Sequence, residues 1–139
     1  MLNAFVLASV MGQASINLVQ PILIIEKSTI NFGDVQNYPN STCTLSLFER
    51  QGSGCLASEW RSGTFHLSGL ANKRVTIELV ALKHEKYSFT PFLSNGLQSQ
   101  TYDLKTGELD IDIGAELTLN TLLESGIYNI NYLIEVVYE

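Results

Sequence analysis

Two thiols, Cys43 and Cys55, are the side chains of this chain with the most definite chemistry open to them. They bracket the Gly52-Ser53-Gly54 turn, and neither has the short-spaced Cys or His companion that a zinc site needs. Their even count predicts a disulfide, whose small loop would stabilise the fold by about 2 to 3 kcal/mol by restricting the unfolded chain. The competing reading is a pair of reduced, buried thiols in a cytosolic protein. The two histidines, His66 and His84, lack the partners that a ligand or acid–base role requires. His66, between Phe65 and Leu67, is expected on the solvated face of a strand, and His84 in a charged turn. Asp110-Ile111-Asp112-Ile113-Gly114 superficially matches a calcium loop. Its intervening isoleucines instead place both carboxylates side by side on a strand's outer face, and the distal Glu of such a loop is missing.

No glycine-flanked nucleophilic serine, HExxH pair or phosphate-cradling glycine loop occurs. The sequence therefore predicts no enzyme, no cofactor and no metal. The remaining candidate for chemistry is recognition. Trp60 and Arg61, in the turn-rich Glu59-Trp60-Arg61-Ser62-Gly63 segment, have the residue types of a recognition loop. Trp60 could equally close one end of the core, because a lone tryptophan brings a large apolar area to bury.

The elements that must carry these residues are strands. Of 139 residues, 45% are apolar and only 16% charged, with Ile, Leu, Val, Tyr and Phe prominent, a composition suited to half-buried pleated surfaces. The length suits one domain with one core. Fourteen acidic against eight basic side chains give a formal charge of −6, which argues against nucleic-acid or anionic-membrane partners.

Residues 1–14 contain an apolar run from Ala4 to Met11 followed by Gly12-Gln13-Ala14, with small residues where signal peptidase requires them. They are read as a signal peptide, although no Lys or Arg precedes the run, which leaves the start position open. The run is shorter than the roughly 18 residues needed to cross a bilayer. The expectation is an exported protein of the periplasm, cell surface or extracellular space. Its mature part is a single domain of residues 15–139 with no membrane span.

Along that domain, short strand patterns are separated by turn residues about every ten positions. They cover residues 21–32, 42–48, 64–67, 74–82, 86–92 and 98–104. Lys105-Thr106-Gly107 has hairpin turn chemistry. From Leu109 to Asn120 apolar and polar residues alternate without a miss, with a bend expected at Gly114-Ala115. Residues 126–139 alternate again, with Tyr128, Ile130, Tyr132, Ile134, Val136 and Tyr138 on one side. That predicts one long terminal strand of roughly 40 Å with a buried tyrosine face. The fold expected is an all-β antiparallel β-sandwich of immunoglobulin-like or pilin-like topology, with a jelly roll as the alternative.

This terminal strand resembles the C-terminal strand of bacterial fimbrial subunits. Ile30-Asn31-Phe32-Gly33-Asp34-Val35, Gly63-Thr64-Phe65-His66-Leu67-Ser68-Gly69, Ile113-Gly114-Ala115-Glu116-Leu117 and Gly126-Ile127-Tyr128 resemble the bacterial secreted family catalogued as domain of unknown function 4402. The resemblance implies an exported β-sandwich related to fimbrial or surface components. The first functional expectation is a non-enzymatic structural subunit or adhesin of a bacterial surface fibre. Its partners would be other fibre subunits or an assembly chaperone. Ile16, Leu18, Ile22 and Ile24 alternate as a strand-exchange donor would, although Gln20 and Pro21 interrupt them. The alternative is a self-complete secreted or periplasmic binding module that takes an unidentified surface ligand on its loops, residues 59–63 or 37–41.

Overall fold

The computed structural model describes residues 7–139. Of the segment read as a signal peptide, residues 1–6 lie outside the described residues, and residues 7–14 are exposed without regular structure. The described chain is all-β, with ten strands: β1 (Leu23–Ser28), β2 (Thr42–Leu45), β3 (Arg50–Gln51), β4 (Gly63–Ser68), β5 (Lys73–Val80), β6 (Leu82–Lys83), β7 (Tyr87–Phe92), β8 (Ser99–Leu104), β9 (Glu108–Leu119) and β10 (Leu133–Tyr138). Every ladder is antiparallel.

Two sheets pack face to face as a β-sandwich. One has the order β1-β4-β9-β2-β3, with β7 also on β9 and β6 on β7; the other is β10-β5-β8. The core lies where their inner faces meet. Phe65 and Leu67 from β4 and Ile111 and Ile113 from β9 pack against Val75, Ile77 and Leu79 from β5 and Leu104 from β8. The alternation that predicted β9 is the reason it forms: Ile111, Ile113, Ala115, Leu117 and Leu119 are buried while Asp110 and Glu116 stay in solvent.

At the expected Gly114 bend, β9 stays continuous but changes partners. Glu108–Ile113 pairs with β4, and from Gly114 onward the strand pairs with β7 and β2. A Cβ at Gly114 would lie 2.4 Å from the Leu45 carbonyl oxygen and 2.6 Å from the Phe92 ring, so only glycine lets the neighbouring strands come this close.

Two expectations are corrected. The Lys105-Thr106-Gly107 turn does not close a hairpin; it carries the chain from β8 in one sheet to β9 in the other. The turn residues bend the chain either way. The fate of its arms is set by Leu104 and Ile111, which belong to the same core cluster from opposing sheets. The terminal strand is also shorter than its pattern. It begins at Leu133, opposite Val80. Beyond Val80 the chain leaves this sheet at Ala81 and enters β6 in the other, so residues 126–132 have nothing to pair with on that side. The tyrosines read as its core are accordingly only partly covered: Tyr132 and Tyr138 are half-buried and Tyr128 is 53% exposed.

Candidate functional site

The Cys43–Cys55 disulfide forms, with Cα atoms 5.1 Å apart. It joins β2 to a loop that is held against the segment after β1. Val35 makes an isolated β-bridge with Cys55, and Gln36 N–H donates to the Gly54 carbonyl at 2.7 Å. Arg50, at the start of β3, completes this attachment, and nothing in its sequence context singles it out. Its guanidinium donates to three backbone carbonyls, Phe32 at 2.7 Å, Leu56 at 2.6 Å and Asp34 at 2.6 Å. A planar fork of five donors can satisfy diverging carbonyls in this way, and a lysine cannot.

Residues 29–35, so braced, form one wall of a large open cleft of about 1540 Å³. Residues 123–132, which lie outside any strand, line it as well. Along its length the cleft separates two sheet edges, with Ile24 and Glu26 of β1 on one side and Ile134 of β10 on the other. Phe65, Phe89, Leu117 and Leu119 form the floor. Tyr132 lies over them, 5.2 Å from the Phe89 ring and 6.5 Å from Phe65 between centroids. Its hydroxyl has no hydrogen-bond partner although it is shielded from solvent. Burial raises the phenol's pKa, and the charge of Glu26 across the cleft pushes the same way.

At the far end of β10, outside the cleft lining, Tyr138 makes a further tie. Tyr138 Oη accepts from Leu70 N–H and donates to the Gln20 carbonyl, each at 2.8 Å, tying the end of β10 to the residue before Pro21. One end of the cleft is held by Asn37, whose side-chain amide both donates to and accepts from the backbone of Leu123. Between Asn37's anchor and β10, no backbone group of residues 124–132 pairs with another backbone group among the described residues.

The edge strands flanking the cleft are poorly covered for a sandwich. Leu23, Ile24 and Ile25 of β1 are 55%, 38% and 54% exposed, so neither face of that strand is buried. The four candidate donor residues part company here. Ile22 packs against the chain's own core, and Ile24 pairs with Leu67 inside β1. Ile16 and Leu18 are 80% and 85% exposed in a segment without regular structure.

The other singled-out residues lie elsewhere. His66 is on the outer face of β4, with Nδ1 2.6 Å from Asp110 Oδ1 across the ladder to β9 and Nε2 3.7 Å from Glu108. Asp112 accepts from Thr64 Oγ1 on the same face, so the two aspartates have strand partners and do not converge on a common point. His84 stacks on Tyr87 with ring centroids 4.7 Å apart. Among the described residues no three His, Cys, Asp or Glu side chains gather as a metal-ligand set, and no helix is long and apolar enough to cross a membrane. Trp60 is half-buried at a shallow depression with Asn31, Ser58, Glu59 and Arg61, outside the main core cluster. Arg61 is largely engaged, donating through Nε to the Thr29 carbonyl and through Nη2 to Thr29 Oγ1.

No protein-family model matches the chain, and neither the curated proteins nor the solved structures contain a match to it.

Proposed function

We propose that this protein is an exported, non-enzymatic structural subunit or adhesin-like component of a bacterial surface fibre, whose sandwich accepts a β-strand donated by another subunit or an assembly chaperone. The observation that carries the reading is the cleft between β1 and β10. Two sheet edges lie side by side with unpaired backbone and half-covered apolar side chains, over a floor of Phe65, Phe89, Leu117 and Leu119. Exposed edges of this kind pair readily with an extended segment, which supplies main-chain hydrogen bonds and fills the space with alternate side chains.

A donor is present in the chain itself. Residues 15–20 lie in no strand and carry no charged side chain, and Ile16 and Leu18 share one side of a two-residue repeat; only the Gln20 carbonyl is engaged, by Tyr138. Burying each of those two side chains would contribute roughly 1.5 to 3 kcal/mol. The donor is confined to residues before Pro21, because Ile22 and Ile24 serve their own sandwich. The disulfide and the signal-like residues 1–14 agree with export, and the resemblance to the exported β-sandwich family points the same way.

Head-to-tail donation is heterologous and generates open chains. Sedimentation velocity over a dilution series should therefore show species growing with concentration, and Ile16→Asp with Leu18→Asp should reduce them to monomer. A wild-type chain that stays monomeric throughout contradicts donation between copies of this chain. It would favour a self-complete binding module, for which β1 already pairs within its own sheet and the Trp60 depression offers a contact surface.

A further inference from the structure

The two-residue alternation of residues 126–139 continues well before the point where β10 begins. Tyr128, Ile130 and Tyr132 fall on one side, with Ile127, Asn129 and Asn131 on the other. These six residues, 127–132, have the pattern of a strand and the structure of a loop. The reason lies in their neighbours. On the β5 side the ladder ends at the Leu133 and Val80 pair, and the chain after Val80 crosses to the other sheet. A partner for residues 127–132 can arrive only on the opposite edge, which faces the cleft. Half of the preparation for it is in place: Ile130 and Tyr132 are turned partly inward, the Tyr132 hydroxyl is shielded and unpartnered, and Ile127 on the outer side is 95% exposed.

We infer that residues 127–132 are a latent β-strand, which forms when residues 15–20 of a second copy of this chain pair along its cleft-facing edge. The inference rests on the strand-accepting reading above and adds that the acceptor itself changes structure. Both segments are six residues long and would extend over about 20 Å each at the strand rise. Residues 15–20 carry no acidic side chain, whereas the cleft presents Glu26, Asp34, Glu59 and Glu124 beside Arg61, so the segment enters without like-charge repulsion from these carboxylates. The chain's own residues 15–20 do not occupy this place. The Gln20 carbonyl is bonded to Tyr138, at the end of β10 opposite residues 127–132, while Ile16 and Leu18 stand in solvent. Formation of the strand would continue β10 backward toward Gly126 and convert unpaired backbone groups into a ladder.

Amide hydrogen exchange by mass spectrometry on the full chain tests this, resolved to peptides covering residues 127–132 and compared between dilute and concentrated protein, for wild type and for Ile16→Asp/Leu18→Asp. The expected result is fast exchange in dilute wild type, exchange slowed by about tenfold or more in the associated wild type, and fast exchange at every concentration in the variant. If the chain associates through residues 15–20 but residues 127–132 still exchange fast, the latent strand is excluded while strand donation survives. If the chain never associates, both fail. If residues 127–132 are already protected in dilute monomer, the segment folds within one chain and a second copy is not its partner.

Discussion

Asn37 and Leu123 bind each other twice: the Asn37 side-chain amide donates to the Leu123 carbonyl, and its Oδ1 accepts from Leu123 N–H at 2.9 Å. The side chain thus satisfies both backbone groups of one residue, as an opposing strand residue would. It pins the start of the open wall of the cleft to the braced loop after β1. Asn37→Ala removes both bonds and should cost about 1 to 2 kcal/mol, measured by urea denaturation. Its signature is local, with faster hydrogen exchange around Leu123 and little change in β9.

Arg50 holds the other wall by donating to the carbonyls of Phe32, Asp34 and Leu56. Arg50→Lys keeps the charge but cannot span three carbonyls, and should lose about 2 kcal/mol. Cys43→Ser with Cys55→Ser should lose about 2 to 3 kcal/mol through the reopened loop. Because both features brace the same segment, the triple variant should fall short of the sum, and a double-mutant cycle with a coupling of about 0.5 kcal/mol or more would register it. Strict additivity would show that the disulfide and Arg50 act on separate structures.

Tyr132 carries a shielded hydroxyl without a partner. Tyr132→Phe removes that orphan and should raise stability at neutral pH by roughly 1 kcal/mol. Burial first, and Glu26 second, hold its phenol protonated above the ordinary value of 10.0, so the unfolded chain ionises at this tyrosine before the folded one does. The corresponding stability is whole below pH 10 and is lost as the pH rises beyond it. In alkaline denaturation series, wild type should therefore lose stability faster than Tyr132→Phe above pH 10. Parallel curves would show that Tyr132 is better hydrated than its place in the cleft indicates.

The sandwich was legible because β9, β5 and β4 bury one face and wet the other, which puts the fold directly into the period of the sequence. The disulfide was legible from the even count of two cysteines with no short-spaced Cys or His companions. Three features were not. The Lys105-Thr106-Gly107 turn bends the chain equally well within a sheet or between sheets, and only the facing of Leu104 and Ile111 decides which. The alternation at residues 126–132 states which side chains share a face and says nothing of whether a neighbour exists to complete the ladder. Asn37 and Arg50 look like ordinary loop residues, since the carbonyls and amides they bind come from segments distant in sequence. For the donor, period alone joined Ile16, Leu18, Ile22 and Ile24, and the pairing of β1 with β4 divides them.

Strand acceptance requires a sandwich that is incomplete at the cleft. Its most direct test is thermal unfolding of residues 15–139, alone and with a second copy of residues 15–20 appended after Glu139 through a flexible Gly/Ser linker of about fifteen residues, whose reach of roughly 20 Å spans β10. An incomplete sandwich should give a cooperative transition that moves up by about 5 °C or more in the appended chain, and loses that gain when the appended Ile16 and Leu18 equivalents are aspartate. A transition at the same temperature with and without the appended segment would contradict it and leave the sandwich complete as it stands.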